Sequence, residues 1–300
     1  MQYLKRSVHS LNSKLRKIDR RAFASPPEEL IGPVFLVGPP RSGSTLSYQV
    51  LVNSLNVSYL PRLANYSYGL IHLIFRTFKG QLRNPKPIFE SDYGRIEGLL
   101  SPSEGFGMWQ EWLQLEGGSY HRSKDLSLLT SDLASLQATI GAPLLIKCFY
   151  LSLSIDWLSR VFPDSRFIFV QREFIANCAS VRRARDLPRN KHWWSVRPPG
   201  FQGHLQESVT DQVVWQVSKI IELINESFED LESQRYRTIS YEGLCEHPND
   251  VVDDLASWLE TLGIIKRSGR EKLVPFRISS NVSSEMRRKI EQSKYFKFNA

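Results

Sequence analysis

The stretch VFLVGPPRSGSTLS, residues 34–47, begins with an apolar run and then breaks into a loop that carries Gly38 and Gly43. A short apolar run bounded by turn-forming residues predicts a buried strand over 33–37. Hydroxyl-bearing residues at the start of an apolar-periodic segment predict a helix over 45–55. A strand, a glycine-containing loop and a helix N-terminus together present backbone N–H groups and a positive dipole end to an anion.

The loop comes close to the phosphate-binding pattern of nucleoside triphosphatases, in which Gly, four residues and Gly precede Lys and then Ser or Thr. Thr45 fits the last position, but Ser44 stands where the lysine belongs, and a basic residue comes three positions earlier, as Arg41. A plain strand-to-helix turn with serine caps is the simpler alternative. An arginine and three hydroxyls within one turn favour an anion site. We assign that site to Pro40, Arg41, Ser42, Gly43, Ser44 and Thr45.

The chain beyond the loop repeats strand and helix signals. Buried strands are predicted over 143–149, 166–170 and 235–240. Helical apolar spacing predicts helices over 153–162, 173–185, 209–231 and 250–263. Strands and helices that alternate at this spacing imply parallel strands with right-handed crossovers. The sequence therefore predicts one α/β domain with a P-loop-like, mostly parallel central sheet flanked by helices, whose ligands bind beyond the carboxyl ends of the strands.

Residues 1–27 are predicted to form an N-terminal extension, and the domain proper is placed at 28–300. Apolar residues recur at spacings of three and four with lysines and arginines between them, at Leu4, Val8, Leu11, Leu15 and Ile18. This pattern predicts a basic amphipathic helix. Such a helix docks on the body of the protein or on another subunit, or it lies on an anionic membrane surface.

The chain of 300 residues has a formal net charge of +8. This surplus indicates either a solvated basic surface or an anionic partner, and no nucleic-acid-binding motif accompanies it. The mean hydropathy of −0.30 and the lack of an apolar run near 18 residues argue against a membrane span. No secretory signal is recognisable. Three cysteines without paired spacing, Cys148, Cys178 and Cys245, suggest neither disulfides nor zinc, so a cytoplasmic location is expected.

The segment PPRSGSTL, residues 39–46, resembles the 5′-phosphosulfate-binding loop of sulfotransferases that use 3′-phosphoadenylyl sulfate (PAPS). The resemblance implies that Arg41 contacts the bridging region of the phosphosulfate and that residues 42–45 cradle the phosphate. In the family, an arginine at a strand end and a serine eight positions later bind the 3′-phosphate of the nucleotide. Arg172 and Ser180, in RFIFVQREFIANCAS, match these two positions.

A third segment, ISYEGLCEHP at 239–248, resembles the family segment that follows a late strand, and it implies that Tyr241 contacts the adenine side of the nucleotide. A core tyrosine is the alternative for that residue alone. The resemblance spans roughly 33–265. It implies a PAPS-dependent enzyme without a metal, which transfers a sulfuryl group to a hydroxyl or amine of a small-molecule or glycan acceptor.

The chain departs from the cytosolic branch of that family at the base. That branch places a histidine two residues after a strand-end lysine, whereas Phe149 follows Lys147 at this spacing. The bacterial, carbohydrate and tyrosyl-protein-type branches commonly use a glutamate, and Glu104 in LLSPSEGFG is our candidate. Lys147 is expected either to contact the sulfuryl oxygens or merely to extend its ammonium group toward solvent at the strand end. The other candidate bases are Glu97, His121 and His72.

Two other functions remain compatible with the loop. A P-loop kinase or nucleoside triphosphatase is disfavoured by Ser44 and by strands that end in Lys147 and Arg172 rather than in an aspartate that could hold magnesium. A nucleotide-binding relative without activity would share all of the motifs. The sequence does not name the acceptor: a carbohydrate, a glycolipid or another small metabolite is expected, and a lipid alcohol or a polyketide-like product remains open. A homo-oligomer is compatible with the sequence.

Overall fold

The computed structural model describes residues 2–25, 30–89, 96–113, 115–116, 119–120, 126–187, 193–267, 269–278 and 282–296. The strands are β1 (Val34–Val37), β2 (Leu115–Glu116), β3 (Ser119–Tyr120), β4 (Leu145–Lys147), β5 (Arg166–Gln171) and β6 (Tyr236–Ser240). The helices of the first half are α1 (Gln2–Phe23), α2 (Ser44–Ser54), α3 (Ile71–Thr77), α4 (Lys79–Arg83), α5 (Phe106–Leu113) and α6 (Leu126–Ile140). Those of the second half are α7 (Ile155–Val161), α8 (Phe174–Arg185), α9 (Val209–Glu229), α10 (Tyr241–Glu246), α11 (Pro248–Leu259) and α12 (Ser284–Glu291).

Four of the strands form one sheet in the order β4, β1, β5, β6. All its pairings are parallel. Every residue of β1 is buried, as expected for a central strand covered by helices on both faces. The predicted single α/β domain is confirmed, with a sheet that is entirely parallel. The short strands β2 and β3 form a separate antiparallel pair.

Helix α1 docks on the body of the protein through polar side chains. The Asn12 amide donates to the Tyr66 carbonyl over 3.1 Å and accepts from the Gly69 N–H over 2.7 Å. The Asp19 carboxylate accepts from the N–H groups of His72 and Leu73, at 2.8 and 2.9 Å, where α3 begins. A carboxylate at a helix N-terminus satisfies N–H groups that have no partner within the helix.

A buried aspartate on α6 fixes the same helix. Two Arg20 nitrogens donate to one Asp132 oxygen over 2.8 and 2.6 Å, and Arg16 donates to the other oxygen over 2.7 Å. The His72 ring lies 3.2 Å from the same carboxylate. These neighbours hold the pKa of Asp132 well below its usual range, although burial alone would raise it. The ion pairs therefore join α1, α3 and α6.

Arg20→Gln is expected to lower the free energy of unfolding by about 1 kcal/mol, because Asp132 keeps Arg16 and His72 as partners. Thermal or urea unfolding of the full chain measures the change. Arg21→Gln is the matched control, since Arg21 is exposed on the outer side of α1. Equal stability of the two variants would contradict a stabilising role for the pair.

The outer side of α1 keeps part of its apolar stripe in contact with solvent. Leu11 and Ile18 are 58% and 63% exposed, and exposed Lys14 lies between them in the sequence. The helix thus docks on its own domain, while its predicted contact with an anionic membrane stays a prediction. No helix within the described ranges has both the length and the apolar character that crossing a bilayer would require.

Candidate active site

The carboxyl ends of all four strands in the large sheet meet at one cavity of about 430 Å³. Strand β1 leads into the loop 38–43, β4 ends at Lys147, β5 leads to Arg172 and β6 leads to Tyr241. Parallel strands bring their carboxyl ends to the same edge of a sheet, which is where such folds bind ligands. Residues that are far apart in the sequence therefore line one site.

Neighbouring elements hold the loop by its backbone. The Asn177 amide on α8 donates to the Pro40 carbonyl over 2.8 Å. The Gly38 N–H donates to the Ser152 hydroxyl over 3.0 Å, and this hydroxyl donates back to the Gly38 carbonyl over 3.1 Å. Arg41 has a φ of 67°, in the left-handed region that costs energy for residues other than glycine. These contacts fix a backbone shape that the loop sequence would not adopt by itself.

Gly43 is the point of closest packing in the loop. It is the N-cap residue of α2, with a φ of 95°, and as a glycine it has no side chain with which to cap that helix. A Cβ at this position would lie 2.1 Å from Cδ2 of the Tyr241 ring. Only glycine satisfies both the backbone angle and the contact. The glycine therefore allows the Tyr241 ring, at the start of α10, to pack directly against the loop 38–43.

Gly43→Ala is expected to displace Tyr241 and to destabilise the domain by about 1–3 kcal/mol, the cost of a strained backbone position. Nucleotide affinity should fall as well, because the loop and the ring move apart. Thermal unfolding with and without adenosine 3′,5′-bisphosphate measures both effects. Gly80→Ala is the control, because a Cβ at Gly80 would meet nothing within 4 Å. An unchanged melting temperature for Gly43→Ala would contradict this account.

Arg172 contacts both the loop and the tyrosine. Its guanidinium donates to the Arg41 carbonyl over 3.1 Å and stands 4.7 Å from the centre of the Tyr241 ring. The side chain is buried, and this burial lowers the pKa of the guanidinium from its ordinary value. An arginine pKa is so high that the group keeps its charge at neutral pH. A buried permanent cation thus faces the cavity.

Glu104 and Lys147 form an ion pair in the same cavity. The lysine ammonium donates to the Glu104 carboxylate and, over 3.3 Å, to the Thr45 hydroxyl. The Lys147 side chain is 5% exposed and the Glu104 side chain is 19% exposed. Burial raises the pKa of Glu104 above its ordinary value, and the charge and hydrogen bond of Lys147 oppose that rise. A carboxylate whose pKa is raised is a stronger base than an exposed glutamate.

The predicted site residues other than Ser42 and Ser180 line this cavity. Ser180 does not line the cavity, but its hydroxyl accepts a hydrogen bond from Nε of Arg41, which does, over 3.2 Å. The Ser42 hydroxyl is fully buried in the loop and has no partner among the described residues. The two serines are thus in the loop region, and their roles toward a nucleotide stay predictions.

The alternative bases do not come together with the loop in the described residues. The His72 ring is buried between Asp132 and Ser135, at 3.2 Å from each, where α1 docks. Glu97 is exposed and lines neither this cavity nor the smaller one beside it. His121 lies outside the described residues. Glu104 is therefore the candidate base that the structure brings to the site.

Some lining residues carry no motif that predicts them. The cavity is also bounded by Leu46, Gln49, Phe89, Phe149, Trp194, Ser195, Phe276 and Arg277. Phe89 and Phe276 meet edge to face with ring centres 5.1 Å apart, although they lie in distant loops. Arg277 adds a further cation from the C-terminal part of the chain. Arg277 belongs to none of the sequence motifs, and the net positive charge of the chain does not single it out.

A comparison with curated protein sequences finds no match. The structure of sulfotransferase STF9 from Mycobacterium avium aligns with a TM-score of 0.53 and 16% identity, over 89% of this chain and 68% of that one. Sulfotransferase STF1 from Mycobacterium tuberculosis aligns with a TM-score of 0.53 and 14% identity, over 93% of this chain and 76% of that one. These likenesses agree with the fold described above.

The family comparison covers most of the domain. The sequence model of the sulfotransferase family matches residues 33–262. This range runs from the residue before β1 to the end of the 3₁₀ helix Glu260–Leu262, which follows α11. This range includes the loop, the strand-end arginine and the Tyr241 segment, so the predicted family resemblance is confirmed. The chain belongs to the sulfotransferase family and is a sulfuryl-transferring enzyme.

Proposed function

We propose that the protein transfers the sulfuryl group of PAPS to a hydroxyl or amine of a small-molecule or glycan acceptor, with Glu104 as the base. The observation that carries the proposal is the contact of Glu104 with Lys147, and of Lys147 with Thr45, at the edge of the loop cavity. This arrangement sets a proton-accepting carboxylate beside hydrogen-bond donors for an anion. The combination is what transfer of an anionic group to a neutral nucleophile requires.

The cavity suits the several negative charges of PAPS. Its lining includes the cations Arg41, Lys147, Arg172 and Arg277. The backbone N–H groups at the N-terminus of α2, where Ser44 and Thr45 line the cavity, add uncharged donors. Backbone N–H groups at a helix N-terminus favour phosphate and sulfate groups. The protein's own cations suffice to neutralise these groups, so the proposal includes no metal.

PAPS supplies an activated sulfuryl group. In the proposed reaction, Glu104 accepts the proton of the acceptor hydroxyl while that oxygen forms its bond to sulfur. The bond between sulfur and the bridging phosphate oxygen breaks, and Arg41, Ser44 and the N–H groups of the loop stabilise the negative charge on that oxygen. Lys147 holds the sulfuryl oxygens in line. Placing both reactants within one cavity removes part of the entropic barrier.

The alternatives make different use of the same loop. A P-loop kinase needs a lysine in place of Ser44 and an aspartate for magnesium, whereas the strands beside the loop lead to Lys147 and Arg172. A binding protein without turnover has no need for a buried carboxylate paired with a lysine. The geometry therefore favours a transferase that uses a nucleotide without magnesium.

Two measurements on the full chain test the proposal. Adenosine 3′,5′-bisphosphate should raise the melting temperature in the absence of magnesium, because ligands that bind only the native state stabilise it. Transfer of labelled sulfate from PAPS into an acceptor mixture should follow. Stabilisation by ATP with Mg²⁺ but not by the bisphosphate would overturn the nucleotide assignment. Binding of the bisphosphate without any transfer would favour the inactive relative.

A further inference from the structure

A second, smaller cavity adjoins the first at the proposed base. Its volume is about 220 Å³, and three residues line both cavities, namely Thr45, Glu104 and Lys147. Arg172 and Tyr241 line only the larger cavity, on the side that the nucleotide motifs mark. An acceptor must reach Glu104 from a direction that the nucleotide does not fill. The smaller cavity provides that direction.

A single helical turn supplies two of its polar groups. Residues 62–65 form a 3₁₀ turn, and side chains three residues apart eclipse each other in this kind of helix. Arg62 and Asn65 therefore project from the same side of the turn, and both line the smaller cavity. The two residues form one recognition surface rather than two unrelated contacts.

The turn is attached to the segment that carries Glu104. The N–H groups of Arg62 and Leu63 donate to the carbonyls of Ser101 and Leu99, over 2.8 and 2.7 Å. The Ser103 N–H donates to the Leu60 carbonyl over 2.9 Å. These backbone bonds fix the distance between the recognition surface and the base. A ligand held by the turn is thus positioned with respect to Glu104.

The two side chains retain hydrogen-bonding capacity. The Asn65 side-chain oxygen is buried and has no partner within the described part of the chain. Arg62 donates one side-chain hydrogen bond to the described residues, to the Ile96 carbonyl over 3.2 Å, and a guanidinium has five N–H donors. A hydroxyl both donates and accepts, so it satisfies the amide in either orientation of its oxygen and nitrogen.

Aromatic rings complete the cavity. Tyr66, at 53% exposure, stands at its edge, and Phe106 packs against Tyr150 with ring centres 5.3 Å apart. Flat rings with a negative face pack well against the C–H side of a saturated ring. The volume is below the roughly 300–1,000 Å³ of pockets that enclose drug-sized ligands. The space suits one ring with several hydroxyls.

We propose that the acceptor is a sugar residue that binds in the smaller cavity, with Arg62 and Asn65 as the residues that select it. This inference rests on the proposed function. One sugar hydroxyl loses its proton to Glu104 as its oxygen bonds to sulfur, and adenosine 3′,5′-bisphosphate leaves. Other hydroxyls of the same ring bind the Asn65 amide and the Arg62 guanidinium. A long-chain alcohol would leave both groups without these bonds.

The test uses the full chain with PAPS and two kinds of probe, a panel of neutral 4-nitrophenyl glycosides and hexan-1-ol. Sulfated products are identified by mass spectrometry. We expect transfer to at least one glycoside and not to hexan-1-ol. Asn65→Leu and Arg62→Met should each lower kcat/KM for that glycoside on the order of 10- to 100-fold, as expected for lost hydrogen bonds. Asn84→Leu, an exposed site outside both cavities, is the matched control.

A binding measurement separates this inference from the proposed function. With adenosine 3′,5′-bisphosphate present, the glycoside should stabilise the wild type and not Asn65→Leu, while the bisphosphate stabilises both proteins equally. If the bisphosphate binds the wild type, three results would overturn the sugar assignment alone. They are transfer only to hexan-1-ol, no transfer to any glycoside, and equal glycoside turnover by Asn65→Leu and the wild type. Failure of the bisphosphate to bind the wild type would overturn the proposed function, and this inference with it.

Discussion

Glu104→Gln is expected to lower kcat by about 10²- to 10⁴-fold, the usual contribution of a positioned general base. Glutamine keeps the size of the side chain and an oxygen that can accept from Lys147, but it cannot accept a proton from the acceptor. The melting-temperature shift caused by adenosine 3′,5′-bisphosphate should therefore be unchanged. Single-turnover sulfate transfer from PAPS measures the chemical step.

Glu97→Gln is the matched control for this prediction. Glu97 lies seven residues before Glu104, is exposed and lines neither cavity, so its loss should leave turnover unchanged. Normal turnover in Glu104→Gln would eliminate Glu104 as the base. Loss of turnover in Glu97→Gln instead would transfer the role to the other glutamate.

The pH profile gives an independent check of the same residue. The base must be ionised to act, and burial raises the pKa of Glu104. The rate should therefore fall with decreasing pH through a value above the ordinary glutamate pKa of about 4.3. Lys147→Met removes a charge and a hydrogen bond that lower this pKa, so the acid limb should move to higher pH. An acid limb that does not move would show that another group controls it.

The parts of the fold that follow simple periodicity could be predicted from the sequence. Short apolar runs predicted β1, β4 and β5, because strands of a parallel sheet covered by helices are buried on both faces, and this holds here even for β4 at the sheet edge. Helix α6 could not be predicted in this way. Its inner side carries Asp132, with 1% exposure, and Ser135, with 2%. Buried polar residues on α6 meet the polar side of α1, so the apolar period that marks a helix is interrupted.

The two cavities of the candidate site also differ in how far their residues can be predicted from the sequence. The larger cavity is built from strand ends. A strand end can be located from the sequence, which places Arg172 and Lys147 at the ends of predicted strands, and the family resemblance implies their roles. Arg62 and Asn65 lie on a four-residue 3₁₀ turn without a periodic signal. Their position depends on backbone hydrogen bonds to residues 99–103, which no local pattern encodes. The strand-end residues of the larger cavity were therefore predictable from the sequence, and these two residues of the smaller cavity were not.

Arg172→Ala is expected to weaken the binding of adenosine 3′,5′-bisphosphate roughly 10- to 150-fold, because a hydrogen bond to a charged group contributes about 1.5–3 kcal/mol. The loss has two physical causes. A buried cation disappears from the cavity, and the Arg41 carbonyl loses its 3.1 Å donor. Arg172→Lys should retain part of the affinity, since lysine keeps the charge but lacks the planar fork of donors.

Isothermal titration of the full-length variants measures this affinity, and unfolding of each ligand-free variant reports any loss of stability. Arg182→Ala is the control, because Arg182 lies on the same strand-to-helix unit but pairs with the exposed Asp186. A salt series separates the two causes. If the charge dominates, the difference between wild type and Arg172→Ala should shrink as ionic strength screens the cavity. If the variant binds as tightly as the wild type at low salt, Arg172 does not hold the nucleotide, and the strand-end arginine only supports the loop.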